Sequence, residues 1–502
     1  MGAVAVGLGL AEASSEVVLA AGFAAFGVFA ALRAPLIGAL AAASVLAGAA
    51  GGELRLRAID EPAGRIRDGE AVHLVAHLLT SPRPNAFGAS AEVRVARGRL
   101  EGARLLLRAP RWEPLSRSLR VGHELRVAGR LEAIPKEAGG EEEGAAENGV
   151  FDFDAYLRGR GVAAELLLER ASPTGRRRGG PAGTLDRMRE RAERGVVSGM
   201  SAEEGALLRG MVLGQDEAIS ASAREDFRDS GLAHVLAVSG QNVVLLAALA
   251  LPVLMIAGLG LRARLAALAA LIAVYVPLAG AGPSLQRAGV MGLAGVVAMA
   301  SSRPASRWYA LLLAATATLA WNPRAWTDPG WQLSFAAVVG ILVIGVPLGR
   351  VLRRAVEEVA PPTRLTPAVA LLADGVAITV AATIATAPLL AHHFDSVALA
   401  GLPANLLALP AVAPAMWLGM LKIALVQAGS LGAPAAEALG APAGLAVRYV
   451  GWLAERCADL PGGQLALPLG STRAVLGAYA ALGVAALALA RSVRPLGSHA
   501  SE

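Results

Sequence analysis

The stretch Gly231-Leu-Ala-His234-Val-Leu-Ala-Val-Ser239-Gly240-Gln241-Asn242 runs directly into Val243-Val-Leu-Leu-Ala-Ala-Leu-Ala-Leu-Pro252. From Val243 to Gly260 the chain is apolar over a length suited to crossing a bilayer. Four polar side chains, His234, Ser239, Gln241 and Asn242, stand at the mouth of that run. Polar groups beside hydrocarbon are costly unless they face another helix or a wet passage. This stretch puts the chain in a membrane and points to transport across it.

Composition agrees with that reading. Of 502 residues 55% are hydrophobic and 17% charged, and the mean hydropathy is +0.52, values of a multi-span membrane protein rather than a soluble domain. Most of the charge lies in residues 53–233, so a polar insert interrupts an Ala/Leu/Val/Gly-rich bundle. A single cysteine, Cys457, excludes an internal disulfide and a thiolate metal cluster. There is no Gly-x-x-x-x-Gly-Lys-Ser/Thr segment, so a motor would have to be a separate protein. The first 50 residues lack a basic leader and read as retained spans.

Taking roughly 17–25 residues per span gives about eleven candidates. They lie near 17–32, 35–50, 234–260, 265–280, 287–301, 308–321, 331–348, 368–391, 398–420, 434–453 and 474–490. Basic residues of short loops set orientation. Arg33, Arg262, Arg264, Arg303, Arg307, Arg350, Arg353, Arg354, Lys422, Arg491 and Arg494 all follow odd-numbered spans, with Arg287 and Arg324 as exceptions. This predicts the N-terminus and the insert outside and the C-terminus in the cytoplasm. The expected domains are a transmembrane hairpin (1–52), a β domain (53–171), a linker with amphipathic helices on the outer surface (172–233), a bundle (234–490) and a tail (491–502).

The insert begins with period-two patterns. Residues 53–57, 91–95, 104–108, 122–131 and 161–168 read as about five short strands, which fits a small barrel of OB type. A Gly/Glu-rich loop at 137–149 and a short helix from Phe151 precede the last strand. Residues 172–183 read as a linker, followed by a basic helix from Thr184 and helices near 202–213 and 217–230. Residues 53–135 hold 15 Arg against 10 Asp and Glu. A basic face with Arg94, Arg104 and Arg126, and with Trp112 and Phe87 as stacking platforms, suits single-stranded DNA; a merely solvated surface, or attraction of Arg176–Arg178 to anionic lipid, is the alternative.

Several motifs now stand in order: Ala206-Leu-Leu-Arg-Gly-Met-Val-Leu-Gly-Gln-Asp216, the His234–Ser239–Gly240 segment, Gly282-Pro-Ser284-Leu-Gln-Arg287, Asp328-Pro-Gly-Trp-Gln332-Leu-Ser334-Phe335, and Asn405-Leu-Leu-Ala-Leu-Pro410. In this order and spacing the chain resembles the ComEC/Rec2 family of competence proteins. The resemblance implies a polytopic α-helical membrane protein with an extracytoplasmic OB-like domain. It further implies a channel in the bacterial inner membrane that conducts single-stranded DNA into the cytoplasm during natural transformation, without being an enzyme. Implied partners are the lipid bilayer, a separate DNA receptor, a motor ATPase, a nuclease and a second copy of the chain; no cofactor is implied. The chain departs from the family pattern in two places. Gln241-Asn242-Val243 stands where Leu-His-Val is common, and the His-x-His-x-Asp-His cluster of the C-terminal metallo-β-lactamase-like domain does not occur.

The candidate site residues each carry two readings. His234, Ser239, Gly240, Gln241 and Asn242 either line a polar path around a helix break or bond between helices. A nucleophilic Ser239–His234 pair lacks an orienting acid and a Gly-x-Ser-x-Gly context. Ser284 and Arg287 suit phosphate contact, or an interfacial arginine that snorkels. Asp328, with Gln332 and Ser334 beside it, suits a helix cap before Pro329. Asp374 inside a span is a proton-coupling candidate or a partner for Arg287. Asn405 belongs to the last motif. The adjacent His392 and His393 point apart and do not form a metal pair. Besides the channel, a transporter of a small anionic solute and an intramembrane hydrolase stay open.

Overall fold

The computed structural model describes residues 1–502 except 14–16, 20, 22–34, 86–87, 114, 116–118, 135–152, 360–365, 462 and 493–502. The span expected at 17–32, the loop at 137–149, Phe87, Arg33 and Arg494 therefore lie wholly or largely outside the described residues.

Helix α1 (Gly2–Gly9) packs on α2 (Pro35–Asp60) without intervening side chains, since a Cβ at Gly48 would meet the Leu8 amide at 3.1 Å. The expected strand at 53–57 is instead the end of α2. Its alternating Glu-Leu-Arg-Leu-Arg also fits a helix: Glu53 pairs with Arg57 one turn on, and Arg55 lies 5.9 Å from the Trp321 ring.

The barrel strands are β1 (Ala71–Leu78), β2 (Arg83–Asn85), β3 (Gly88–Arg97), β4 (Arg104–Pro110), β5 (His123–Ala133) and β6 (Val162–Arg177), with α3 (Phe153–Gly159) before the last. The sheet order β1-β5-β6-β4-β3-β2 is closed by a β1–β3 pairing, and β4 runs parallel to β6. Omitting the short β2, this is a five-stranded barrel of OB type. Leu105, Leu107, Leu125, Leu131 and Leu166 fill its interior. Strand β1 was not anticipated, because its histidines interrupt the apolar alternation. The expected linker at 172–183 is a second correction: β6 continues to Arg177 against β5, and α4 (Gly180–Val196) starts almost at once.

Helix α5 (Ala202–Leu213) starts on a Ser201/Glu204 capping box and ends on Gly214 at φ 67°. It is not a surface helix. Eight of its residues are buried, and it forms the centre of the largest core. Helix α6 (Ala221–Asp229) buries only Phe227. One turn, α7 (Ala233–Leu236), leads to α8 (Gly240–Ile256), α9 (Leu261–Leu278), α10 (Pro283–Ala300) and α11 (Arg307–Trp321). Helix α12 (Pro329–Gly340) passes through a π-helical turn, Ile341–Gly345, into α13 (Val346–Val359). Then follow α14 (Thr366–His393), α15 (Gly401–Gln427), α16 (Ala433–Ala438), α17 (Gly440–Ala458) and α18 (Thr472–Ser492). Strands β7 (Ser396–Ala398) and β8 (Gln464–Ala466) pair beside α14.

Among the described residues five helices are long and apolar enough to cross a membrane: Ala39–Asp60, Leu261–Leu278, Pro329–Glu358, Val369–His393 and Gly401–Gln427. Gly240–Ile256 and Thr472–Ala485 are apolar but shorter. Two basic markers move. Arg350, Arg353 and Arg354 lie within α13 rather than in a loop. Lys422 lies within α15, fully buried, where it donates to Ser198 O just past the end of α4.

Candidate functional site

Between His234 and Asn242 the helix is interrupted. Ala237 and Ser239 are extended, and α8 begins at Gly240. The break is stabilised by reciprocal capping. Ser239 Oγ accepts from the Gln241 amide (3.2 Å), and Asn242 Oδ1 accepts from the Ser239 amide (3.3 Å) and hydroxyl (3.4 Å). Asn242 is buried, and its Nδ2 donates to Met211 O and to Tyr275 Oη, both at 3.0 Å. Tyr275 Oη in turn donates to Val212 O at 2.7 Å. Met211 and Val212 end α5, where helix carbonyls lack partners of their own. Asn242 and Tyr275 thus clasp the end of α5 to the start of α8. Tyr275 was not singled out in the sequence, although a hydroxyl in the run Leu271-Ile-Ala-Val-Tyr275 was a signal.

Arg287 lies against this break. It sits in the second turn of α10, 7% exposed, and donates through Nη1 to Ser334 O of α12. Its Cζ is 5.8 Å from the Phe335 ring centroid. A Cβ at Gly240 would lie 2.7 Å from its Nη2, so the glycine leaves the guanidinium room against the first turn of α8. Ser284 Oγ donates to Ser334 Oγ at 2.8 Å, joining the same two helices. The Nε of Arg287 is buried without a partner, and among the described residues Arg287 forms no ion pair. The structure therefore brings Ser239, Gly240, Ser284, Arg287 and Ser334 together where α8, α10 and α12 meet. Snorkelling does not describe this arginine, since its charge is held inside.

The other candidates lie apart from this group. Asp328 accepts from the Trp331 amide (2.9 Å) and caps α12. Gln332 donates to Trp326 O (2.9 Å) and lies 2.8 Å from His393 Nε2. Trp331 packs on Phe335 with tilted rings, centroids 4.2 Å apart, and donates to Thr318, so it is an inward residue. Asp374 does not pair with Arg287: it takes a two-point contact from Arg353 of α13, and is partly exposed. Asn405 donates to Thr379 Oγ1 of α14 (2.9 Å). His234 Nδ1 is 3.1 Å from Gly231 O, and Gln241 is exposed. No hydrogen bond joins Ser239 to His234 among the described residues. No group of three or more His, Cys, Asp or Glu residues suited to a metal occurs among them either.

On the barrel, Arg94 and Arg104 are register partners on β3 and β4. Burial, and then the neighbouring Arg94, push the Arg104 guanidinium below its ordinary pKa. Arg126 belongs to a different face, on β5, and Trp112, 70% exposed, lies in the turn after β4. Asn322, at the end of α11, holds the barrel through a 2.6 Å bond to Gly159 O, and Arg83 pairs with Glu217 at 3.0 Å.

These features define a multi-pass membrane protein with an OB-like β-barrel domain. The Competence protein family model matches residues 211–492, and the chain belongs to that family, of ComEC/Rec2 type, which acts in DNA uptake during transformation. No curated protein and no solved structure matches the chain. The matched segment runs from the end of α5 through α18 and contains the whole Arg287 group.

Proposed function

We propose that this chain conducts single-stranded DNA through the bacterial inner membrane into the cytoplasm, as a channel rather than an enzyme. Arg287 carries the proposal. A buried guanidinium without a carboxylate costs several kcal/mol of desolvation that its carbonyl and ring contacts only partly offset. A passing phosphodiester supplies the missing anion, and the amide-rich start of α8 adds to the attraction. In this reading the outer end of the bundle is the end that holds the barrel. The N-terminus and barrel are outside and the C-terminus is in the cytoplasm. Helices α8, α10, α11, α17 and α18 complete the bundle toward about eleven spans. Ser284, Ser334, Gln241, His234 and Asn405 contribute polar lining. Asn242 and Asp328 hold helix ends, and Asp374 anchors α14 to α13. Arg94, Arg104, Arg126 and Trp112 receive the strand. A DNA receptor, a motor ATPase, a nuclease and a second copy of the chain are its proposed partners.

The test is the DNase-protected cytoplasmic pool of labelled DNA in a transformable strain. Deletion should empty the pool while DNA still binds the cell surface, and Arg287→Ala should lower it at least about 10-fold at normal protein level. A full pool with Arg287→Ala would remove the phosphate contact, and a full pool on deletion would remove the channel.

A further inference from the structure

The guanidinium of Arg287 uses only part of its donor set. Nη1 donates to Ser334 O, while Nε is buried and unpartnered. Nη2 makes no hydrogen bond among the described residues, and it is not sealed off as Nε is. The side chain as a whole is more than nine-tenths buried. Among the described residues no ionised group acts on its charge. A cation held this way in a low-dielectric setting calls for an anion.

What lies beside Nη2 is the start of a helix. A Cβ on Gly240 would stand 2.7 Å from it. Bond geometry then puts the Gly240 amide nitrogen within roughly 5 Å of Nη2. Gly240 is the first residue of α8, a helix of 17 residues, so its amide belongs to the positive end of that helix. The next two amides are spent: Gln241 N–H donates to Ser239 Oγ and Asn242 N–H to Ser239 O. The Gly240 amide has no acceptor among the described residues. It is also held in place, because the Asn242 side chain ties α8 to Met211 O at the end of α5. Two donors without acceptors, one of them charged, thus stand within reach of a single acceptor atom.

Charge sets the sign of the ligand, and room sets its size. The space beside Nη2 is what glycine leaves by lacking a side chain, and Ala288 Cβ bounds it, 3.3 Å from where a Gly240 Cβ would be. A gap of that width takes one atom. It suits a halide ion, or a single oxygen of a larger anion whose body stays outside.

We propose that the junction of α8, α10 and α12 binds one chloride ion, held by Arg287 Nη2 and the Gly240 amide. The ion is the resident counter-charge of the junction when no polymer is present. The site stands independently of transport; only its displacement by a phosphodiester rests on the reading of DNA as cargo.

The full chain in phosphatidylcholine nanodiscs, equilibrated in gluconate buffer and titrated with radiolabelled chloride, tests it. Wild type should show a single saturable class of chloride. Arg287→Ala should weaken that binding at least about 10-fold. Gly240→Ala, which fills the gap with the arginine still present, should do the same and serves if Arg287→Ala fails to fold. Dimethyl phosphate should displace the bound chloride. Wild-type protein without saturable chloride binding would overturn the site, and so would binding that both variants leave unchanged. Chloride binding that dimethyl phosphate does not displace would leave the site standing and overturn the phosphodiester contact at Arg287 instead.

Discussion

At the scale of single residues, the polar side chains of the bundle differ in how completely their own contacts satisfy them. Asn242 spends its side-chain amide on α5, Tyr275 and its own helix cap. Asn242→Ala should therefore lower stability by about 1–3 kcal/mol, the cost of stranding buried carbonyls, measurable as thermal unfolding in detergent. Tyr275→Phe should lose about 1 kcal/mol in the same assay. Arg287 differs, because removing it relieves an unpaired charge. Arg287→Ala should leave the unfolding temperature near wild type while uptake falls, and a large drop in stability would mark it as structural. The sequence announced this group through its spacing: a glycine at 240, serines at 284 and 334, an arginine at 287. It did not announce that Asp374 answers Arg353, because helix ends that meet in space are set by crossing geometry and not by separation along the chain.

At the scale of elements, local pattern was legible where one period dominated. The alternation in β3, β4, β5 and the start of β6 marked strands, and the long apolar runs marked helices. It failed at 53–57, where five alternating residues extend a helix whose preceding turns were already formed, and at 172–177, where Ser, Pro, Thr and Gly occur inside an exposed strand end paired with β5. Between α12 and α14 the contact is made by glycines: a Cβ at Gly340 would lie 2.7 Å from Ala381 O, and one at Gly345 would lie 3.2 Å from Ala381 Cβ. Gly340 precedes the π-turn Ile341–Gly345 and Gly345 is its last residue. Gly340→Leu should push the two helices apart and cost about 1–3 kcal/mol or more, read as lower yield and lower unfolding temperature.

At the scale of the whole molecule, the barrel is fastened to α4 by ion pairs rather than by a shared core. Arg178 makes a two-point contact with Asp186 (2.7 and 2.9 Å), and Arg177 reaches Glu190 at 2.6 Å. The bond from Arg177 holds the Glu190 carboxyl below its ordinary range, against the opposing effect of burial. A depressed folded-state value stabilises the attachment above the unfolded pKa of about 4.3 and is lost as pH falls through the folded value. Acidification below about pH 4 should thus expose the chain between β6 and α4 to an acid-active protease, and Glu190→Gln should flatten that pH dependence. Sequence could not show this fastening, since it depends on β6 running to Arg177 rather than ending in a linker. In the proposed channel, the unpaired charge at the junction of α8, α10 and α12 also has an electrical consequence. A fixed cation on a conduction path repels mobile cations and attracts anions before any polymer arrives. In a planar bilayer with a potassium chloride gradient, the open wild-type pathway should show a reversal potential displaced toward that of chloride, and Arg287→Ala should move it back toward zero.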